Sequence, residues 1–217
     1  MAGDTLRDDL IPEAGLRGAR SSFVRSRTKR VINVAISFVG LLLTIALTPF
    51  IAVLLKIDSR GPILYRQVRL GVDGQPFMLL KFRTMVHGAE NEGEPIWASD
   101  DDPRITRVGG ILRGLYIDEL PQWWNVLKGE MSVVGPRPER PGLAELVVQS
   151  YPGFAGRLGA KPGITGLAQT EYKYTASVDD SRHKLSYDRK YIQKASLALD
   201  MWIILRTFRR MLLRSDT

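Results

Sequence analysis

The chain has 217 residues, 44% of them hydrophobic and 25% charged, with a formal charge of +8 and a sequence pI near 9.9. That length holds one domain with a real core, and the composition excludes both a disordered chain and a polytopic membrane protein. With no Cys and only His87 and His183, disulfides, thiolate metal sites and cysteine nucleophiles are absent and a zinc site built on His is disfavoured, while the positive excess asks for an acidic partner: nucleic acid, anionic lipid or a phosphorylated small molecule.

In chain order, the first 20 or so residues carry Gly, Arg and Asp without periodicity and read as a mobile arm. Then 25 residues, Val31 to Leu55, pass without a charge. About 20 apolar residues suffice to cross a bilayer, and the run is too long and lacks the small-residue cleavage site of a signal peptide. Basic residues flank both ends: Arg25, Arg27, Lys29 and Arg30 before it, Lys56, Arg60, Arg66 and Arg69 after it. A straight span wants that excess on one side only. Thr48 and Pro49 offer a bend that would return the chain to the face it entered, since Pro removes an amide donor. On the residues alone, a re-entrant helix and a kinked span both stand.

Ile63 to Phe82 reads as a β-hairpin turning at Val72-Asp73-Gly74, and it ends in Lys81-Phe82-Arg83-Thr84-Met85. A polar stretch from His87 to Pro103 follows, whose Asp100-Asp101-Asp102 run reads as a solvated loop. Short helical segments are expected from Arg107, broken by Pro and Gly at 135–142 and 152–166. Residues 196–215 alternate Arg206, Arg209, Arg210 and Arg214 with Trp202, Leu205, Phe208, Leu212 and Leu213. That is the pattern of a helix lying on anionic headgroups, or of one closing an ordinary core. No repeat and no Gly-rich phosphate loop occurs.

Asp118 and Glu119 stand side by side before Leu120-Pro121. The bland reading makes Asp118 a helix N-cap with Pro121 in the first turn. The chemical reading takes the ionised Asp as a nucleophile towards phosphorus, with Arg113 neutralising developing charge. The stiff segment Val134-Gly135-Pro136-Arg137-Pro138-Glu139-Arg140-Pro141 adds two more guanidinium groups, which suits a pyrophosphate substrate better than a cap. Trp123 and Trp124 take no site role.

Three motifs then carry a resemblance: Lys81 to Met85; DPRITRVGGILRGLYIDELPQWWNVLKGEMSVVGPRP, Asp102 to Pro138; and KPGITGLAQ, Lys161 to Gln169. In order and spacing they resemble the bacterial sugar transferases, the monotopic phosphoglycosyl transferases, from Lys29 to the C-terminus. The resemblance implies transfer of a sugar-1-phosphate from a UDP-sugar to polyprenyl (undecaprenyl) phosphate with release of UMP, as the first membrane step of surface-glycan assembly. It makes Asp118 the nucleophile that carries the sugar phosphate. Glu119, with Asp118, would hold Mg²⁺ or manage the acceptor's proton. Pro136, Arg137 and Pro138 match the nucleotide-contacting Pro-Arg-Pro element, and Lys81 and Arg83 a basic strand end near the phosphates.

The resemblance also favours re-entry at Thr48-Pro49, where the family has Ser-Pro, and hence the cytosolic face of the bacterial inner membrane. Two departures stand out. Asn33 replaces an Asp that could pair with Lys29 or Arg30, which weakens the expected anchoring, and Leu167 replaces a Trp. The expected organisation is α+β: an arm over 1–28, a re-entrant membrane helix over 29–57, and a cytosol-facing catalytic domain over 58–217. That domain would hold a small hairpin, mostly helices and a C-terminal interfacial helix, and the whole resembles the family's bare catalytic unit. A UDP-hexose is the first expectation for the donor and an N-acetylated sugar the second. Anionic lipids and a homodimer complete the expected partners, and nucleic acid is not one of them, because the basic residues crowd the membrane flanks. The rival class is a non-catalytic membrane-surface protein, which explains the charge but not a carboxylate pair among fixed arginines.

Overall fold

A 32-residue helix, α1 (Arg27–Asp58), is the longest element of a computed structural model that describes residues 21–89, 102–172 and 178–213. Ser26 starts it, its hydroxyl accepting the Lys29 amide at 3.1 Å. At 1.5 Å per residue it is roughly 48 Å long. Its buried residues, Lys29, Asn33, Ser37, Thr44, Ile51 and Leu55, recur at four and seven positions and so form one stripe. Apolar residues elsewhere around it, Val31, Phe38, Val39, Ile45, Phe50 and Val53, are exposed. The helical assignment continues through Pro49, the position of the expected bend. Thr44 and Thr48 each donate a hydroxyl proton to the carbonyl four residues back, at 2.7 Å, beside the carbonyl of Ile45 that Pro49 cannot serve.

Both ends of this helix rest on the rest of the chain. Lys29 reaches Tyr191 at 2.7 Å and pairs with Asp200, and Arg30 donates to the carbonyls of Val126 and Leu127 at 2.6 Å each. Asn33 is buried and bonds Ser132 at 3.0 Å while accepting the Val133 amide at 3.2 Å. The anchoring expected to suffer from Asn33 is therefore supplied by an amide that both donates and accepts. At the far end Ile51 and Leu55 pack with Phe82 and Leu112.

Strands β1 (Leu64–Leu70) and β2 (Pro76–Phe82) form the expected antiparallel hairpin, with Tyr65 opposite Lys81 and Arg69 opposite Phe77. Asp73 (φ 54°) and Gly74 (φ 74°) take the left-handed region at the turn, where Asp and Gly are the tolerant residues. Helices α2 (Arg107–Gly114) and α3 (Gln122–Lys128) follow, joined by a 3₁₀ turn, Ile117–Glu119. Asn125 of α3 serves the open edge of β2, accepting from the Leu80 amide at 3.2 Å and donating to the Met78 carbonyl at 2.8 Å.

A second sheet was not expected. β3 (Ser132–Val134) pairs in parallel with β4 (Gly163–Thr165), across α4 (Pro141–Ser150) and a 3₁₀ segment, Pro152–Gly159. A Cβ on Gly135 would sit 2.3 Å from the Lys161 carbonyl and one on Gly163 2.2 Å from the Gly135 amide, so the backbones meet as they do only because both are Gly. Helices α5 (Leu167–Glu171), α6 (Val178–Lys194) and α7 (Leu197–Leu213) close the fold. Val126, Met131, Val134, Tyr191 and Ile203 form the centre of the main core, each worth about 1.5–3 kcal/mol of burial.

α7 both closes the core and leaves an apolar face exposed. Ile203 is fully buried, while Leu197, Met201, Trp202, Leu205 and Phe208 are exposed. Leu167 packs into the main core. Asp102 corrects the solvated-loop expectation where that loop is described: it is buried and holds Arg104 through bonds of 2.8 and 2.5 Å. Asp100, Asp101, Arg214 and the N-terminal arm lie outside the described residues.

Candidate active site

Three short segments converge. The end of β2 brings Lys81, the 3₁₀ turn brings Asp118 and Glu119, and the segment after β3 brings Pro136, Arg137 and Pro138. Tyr116, at φ 56°, makes the sharp exit from α2 that turns both carboxylates inward. Both are buried, at 6% and 8% exposure. Lys81 Nζ lies 2.7 Å from Glu119 Oε1 and 3.6 Å from Asp118 Oδ2, and Arg137 Nη2 lies 3.0 Å from the same Glu119 oxygen.

Asp118 is not the N-cap foreseen for it. It lies within the 3₁₀ turn, and Pro121 takes the cap position of α3. Its charge is therefore governed by burial and by its neighbours. Burial pushes the Asp118 carboxyl up, Lys81 pulls it down and Glu119 adds repulsion; the net direction is up. Burial also opposes ionisation of Glu119, but Lys81 and Arg137 together outweigh it and hold that carboxyl down at about 2. The two adjacent acids thus differ: Glu119 is locked as an anion by two cations, and Asp118 keeps the more basic carboxylate.

Arg69 completes the cleft. With Leu79, Lys81, Gln122, Arg137 and Pro138 it lines a recess beside the pair. Burial first, then Arg137 and Arg140 against the pull of Glu139, push its guanidinium down to about 10. Its guanidinium donates to Gln67 Oε1 at 2.9 and 2.5 Å and to the Pro138 carbonyl at 3.0 Å, which fixes its charge at the edge of the recess. Sequence reasoning missed Arg69 and Gln122, although the hairpin register sets Arg69 on the same face as Tyr65 and Lys81.

The backbone of the Pro-Arg-Pro segment is held from outside at four consecutive carbonyls. Pro136 accepts from the Gly163 amide (2.9 Å), Arg137 from Arg157 (2.9 Å), Pro138 from Arg69 (3.0 Å) and Glu139 from the Leu70 amide (2.9 Å). The Arg137 side chain nevertheless stays 40% exposed. Arg157, Glu139 and Asp188 form a second ion cluster behind it, one with no local signature in the sequence.

Two expected site residues stand differently. Arg83 turns away from the pair: its guanidinium donates to the carbonyls of Leu55, Arg60 and Ser59 at 3.2, 3.0 and 2.8 Å, capping the C-terminal end of α1. Arg113 donates to the Thr84 hydroxyl at 2.8 Å and acts on Asp118 only through its charge. Trp123 packs against Gly40 of α1. Among the described residues no group of three or more acidic, His or Cys side chains is placed to hold a metal. Asp118 and Glu119 are two hard oxygen donors, a set that suits Mg²⁺ when substrate phosphates complete its shell.

Residues 24–214 match the model of the bacterial sugar transferase family, and the chain belongs to that family. It is 40% identical over 204 residues (94% of this chain, 48% of the relative) to a UDP-N-acetylgalactosamine-undecaprenyl-phosphate N-acetylgalactosaminephosphotransferase of Aeromonas hydrophila. It is 44% identical over 184 residues (82% and 67%) to a UDP-glucose:undecaprenyl-phosphate glucose-1-phosphate transferase of Caulobacter vibrioides. It is 37% identical over 184 residues (82% and 92%) to the exopolysaccharide production protein PSS of Rhizobium leguminosarum bv. phaseoli. The chain spans about half the length of the Aeromonas relative.

Proposed function

We propose that this protein is a phosphoglycosyl transferase that moves a sugar-1-phosphate from a UDP-sugar to undecaprenyl phosphate, in the synthesis of a surface polysaccharide. The observation that carries the reading is Asp118, buried beside an anion-locked Glu119 and facing cations that outnumber the two carboxylates: Lys81, Arg137, Arg69 and Arg113. That excess matches a pyrophosphate. In the first half-reaction an Asp118 oxygen attacks the phosphorus next to the sugar, and the bond from that phosphorus to the UMP oxygen breaks. UMP leaves, its new charge met by Lys81 and Arg137. In the second, an oxygen of the polyprenyl phosphate attacks the same phosphorus, the acyl phosphate bond breaks, and Asp118 returns as a carboxylate. Asp118 and Glu119 would hold Mg²⁺ together with the phosphates, and the ion would supply charge neutralisation when bound.

The donor we put first is UDP-glucose or UDP-galactose, with an N-acetylated UDP-sugar second; relatives named for each kind match at similar identity. The test is UMP release from a panel of UDP-sugars with polyprenyl phosphate and Mg²⁺, alongside mass spectrometry of the protein incubated with donor alone. Ping-pong kinetics and an adduct on Asp118 are expected. Sequential kinetics without an adduct would refute the covalent route, and silence with every donor would leave the membrane-surface role.

We further propose that α1 enters and leaves the membrane on the cytosolic face. Support comes from the shared stripe: the domain lines the helix from Lys29 to Leu55, so a straight crossing would drag the domain into the bilayer. The chain has no Cys, so Ser22→Cys and Arg60→Cys can each be labelled alone. Both should react from the cytosolic side only; opposite sidedness would sink the proposal.

A further inference from the structure

Arg157 is 3% exposed and divides its guanidinium among three acceptors on two separate parts of the chain. Nε and Nη2 meet Asp188 Oδ2 of α6 at 2.9 and 2.8 Å, Nη1 meets Glu139 Oε1 at 3.1 Å, and Nη2 donates to the Arg137 carbonyl at 2.9 Å. Its face lies over the Phe154 ring, 4.7 Å from the centroid. A buried ion pair contributes little net stability compared with an apolar filling of the same space. What the planar fork supplies is direction, because each N–H is fixed relative to the others.

That direction matters at Arg137. Its side chain is 40% exposed, so packing alone does not fix it, yet it must meet Glu119 at 3.0 Å. Its backbone is the part that is held, and the Arg157 side chain grips the Arg137 carbonyl. Asp188 is 2% exposed and in turn fixes Arg157.

We propose that Arg157, oriented by Asp188, is a positioning residue: it sets the backbone of Arg137 so that this guanidinium addresses the donor's phosphates. The inference rests on the reading of Arg137 as a donor ligand. It adds a role for two residues that touch neither substrate nor the carboxylate pair.

The experiment is a double-mutant cycle on the full chain in detergent, reading UMP release and thermal melting for Asp188→Asn, Arg137→Ala and the double variant. Arg137→Ala alone must lower kcat/KM; if it does not, the reading of Arg137 fails and the positioning role with it. Given that loss, Asp188→Asn should raise KM for the UDP-sugar about 10-fold with a smaller change in kcat, as expected for a misplaced binding group. In the Arg137→Ala background the same substitution should change kcat/KM by less than about twofold, while lowering the melting temperature as much as before. Equal, additive losses of kcat/KM in both backgrounds would overturn the proposal in favour of a purely structural pair. Arg157→Lys, which keeps the charge and loses the fork, gives a second reading if Asp188→Asn does not fold. A folded Arg157→Lys protein with unchanged KM overturns the proposal, and a raised KM supports it.

Discussion

Two buried ion clusters lie on either side of the Pro-Arg-Pro segment, each with two carboxylates and at least one guanidinium, and they are built for different ends. Behind the segment, Arg157, Asp188 and Glu139 are matched to one another, and Arg157 and Asp188 are 3% and 2% exposed. In front of it, Asp118 and Glu119 are nearly as deep, but the cations that face them are not: Lys81 is 18% and Arg137 40% exposed. In the rear cluster the cation is sealed and paired with both carboxylates, of which Glu139 alone reaches 18% exposure. The front one keeps its cations within reach of a ligand, and its two acids are driven to unlike proton affinities. Openness of the cations, more than burial of the acids, separates a reacting centre from a structural pair.

The largest expected effect falls on the front cluster. Asp118→Asn should cut UMP release on the order of 10³-fold or more, the scale of losing a nucleophile. Because burial raises the Asp118 carboxyl, its ionised form is disfavoured by the fold, so the melting temperature should stay the same or rise. The rear cluster should answer in the opposite currency. Arg157→Met leaves Asp188 and Glu139 without their main partner and should cost about 3–5 kcal/mol in chemical denaturation. A nearly neutral result would show that cluster to be less closed than its geometry.

Lys81→Met sharpens the contrast within the front pair. Lys81 lowers both carboxyls, so its loss should move the acid limb of the donor half-reaction's pH profile upward. An unmoved limb would place the controlling charge elsewhere. The smallest effect concerns stability at low pH. Glu119 is held at about 2 against an ordinary 4.5, so its contribution is full above 4.5 and is lost as the pH falls towards 2. Glu119→Gln should therefore unfold with a shallower acid dependence across that window, measured by melting at stepped pH.

Much of the site was legible because its signals are local. The hairpin turn, the adjacent acids and the Pro-Arg-Pro element are each carried by a few consecutive residues. What escaped depends on distance in sequence. β3 and β4 have three residues each and pair across more than a turn of helix and a 3₁₀ segment, so neither shows a period of its own. Arg157 and Asp188 meet from separate elements. Arg83 misled for a different reason. Strand alternation would set it on the same face as Lys81, but β2 ends at Phe82 and the backbone turns the next side chain towards the end of α1. The N-cap reading of Asp118 failed because the left-handed Tyr116 lets a 3₁₀ turn precede the helix.

Arg83's grip on the end of α1 has a further consequence. Lys81 and Arg83 are two residues apart, roughly 7 Å along the chain. One holds the carboxylate pair and the other the apolar helix. With α1 in the membrane as proposed, this two-residue spacer would set the height of the carboxylate pair above the lipid surface, as a depth stop sets a drill. On the proposed function, an acceptor whose phosphate rides at a fixed level on its hydrocarbon tail would meet Asp118 at one elevation, with no search in the vertical direction.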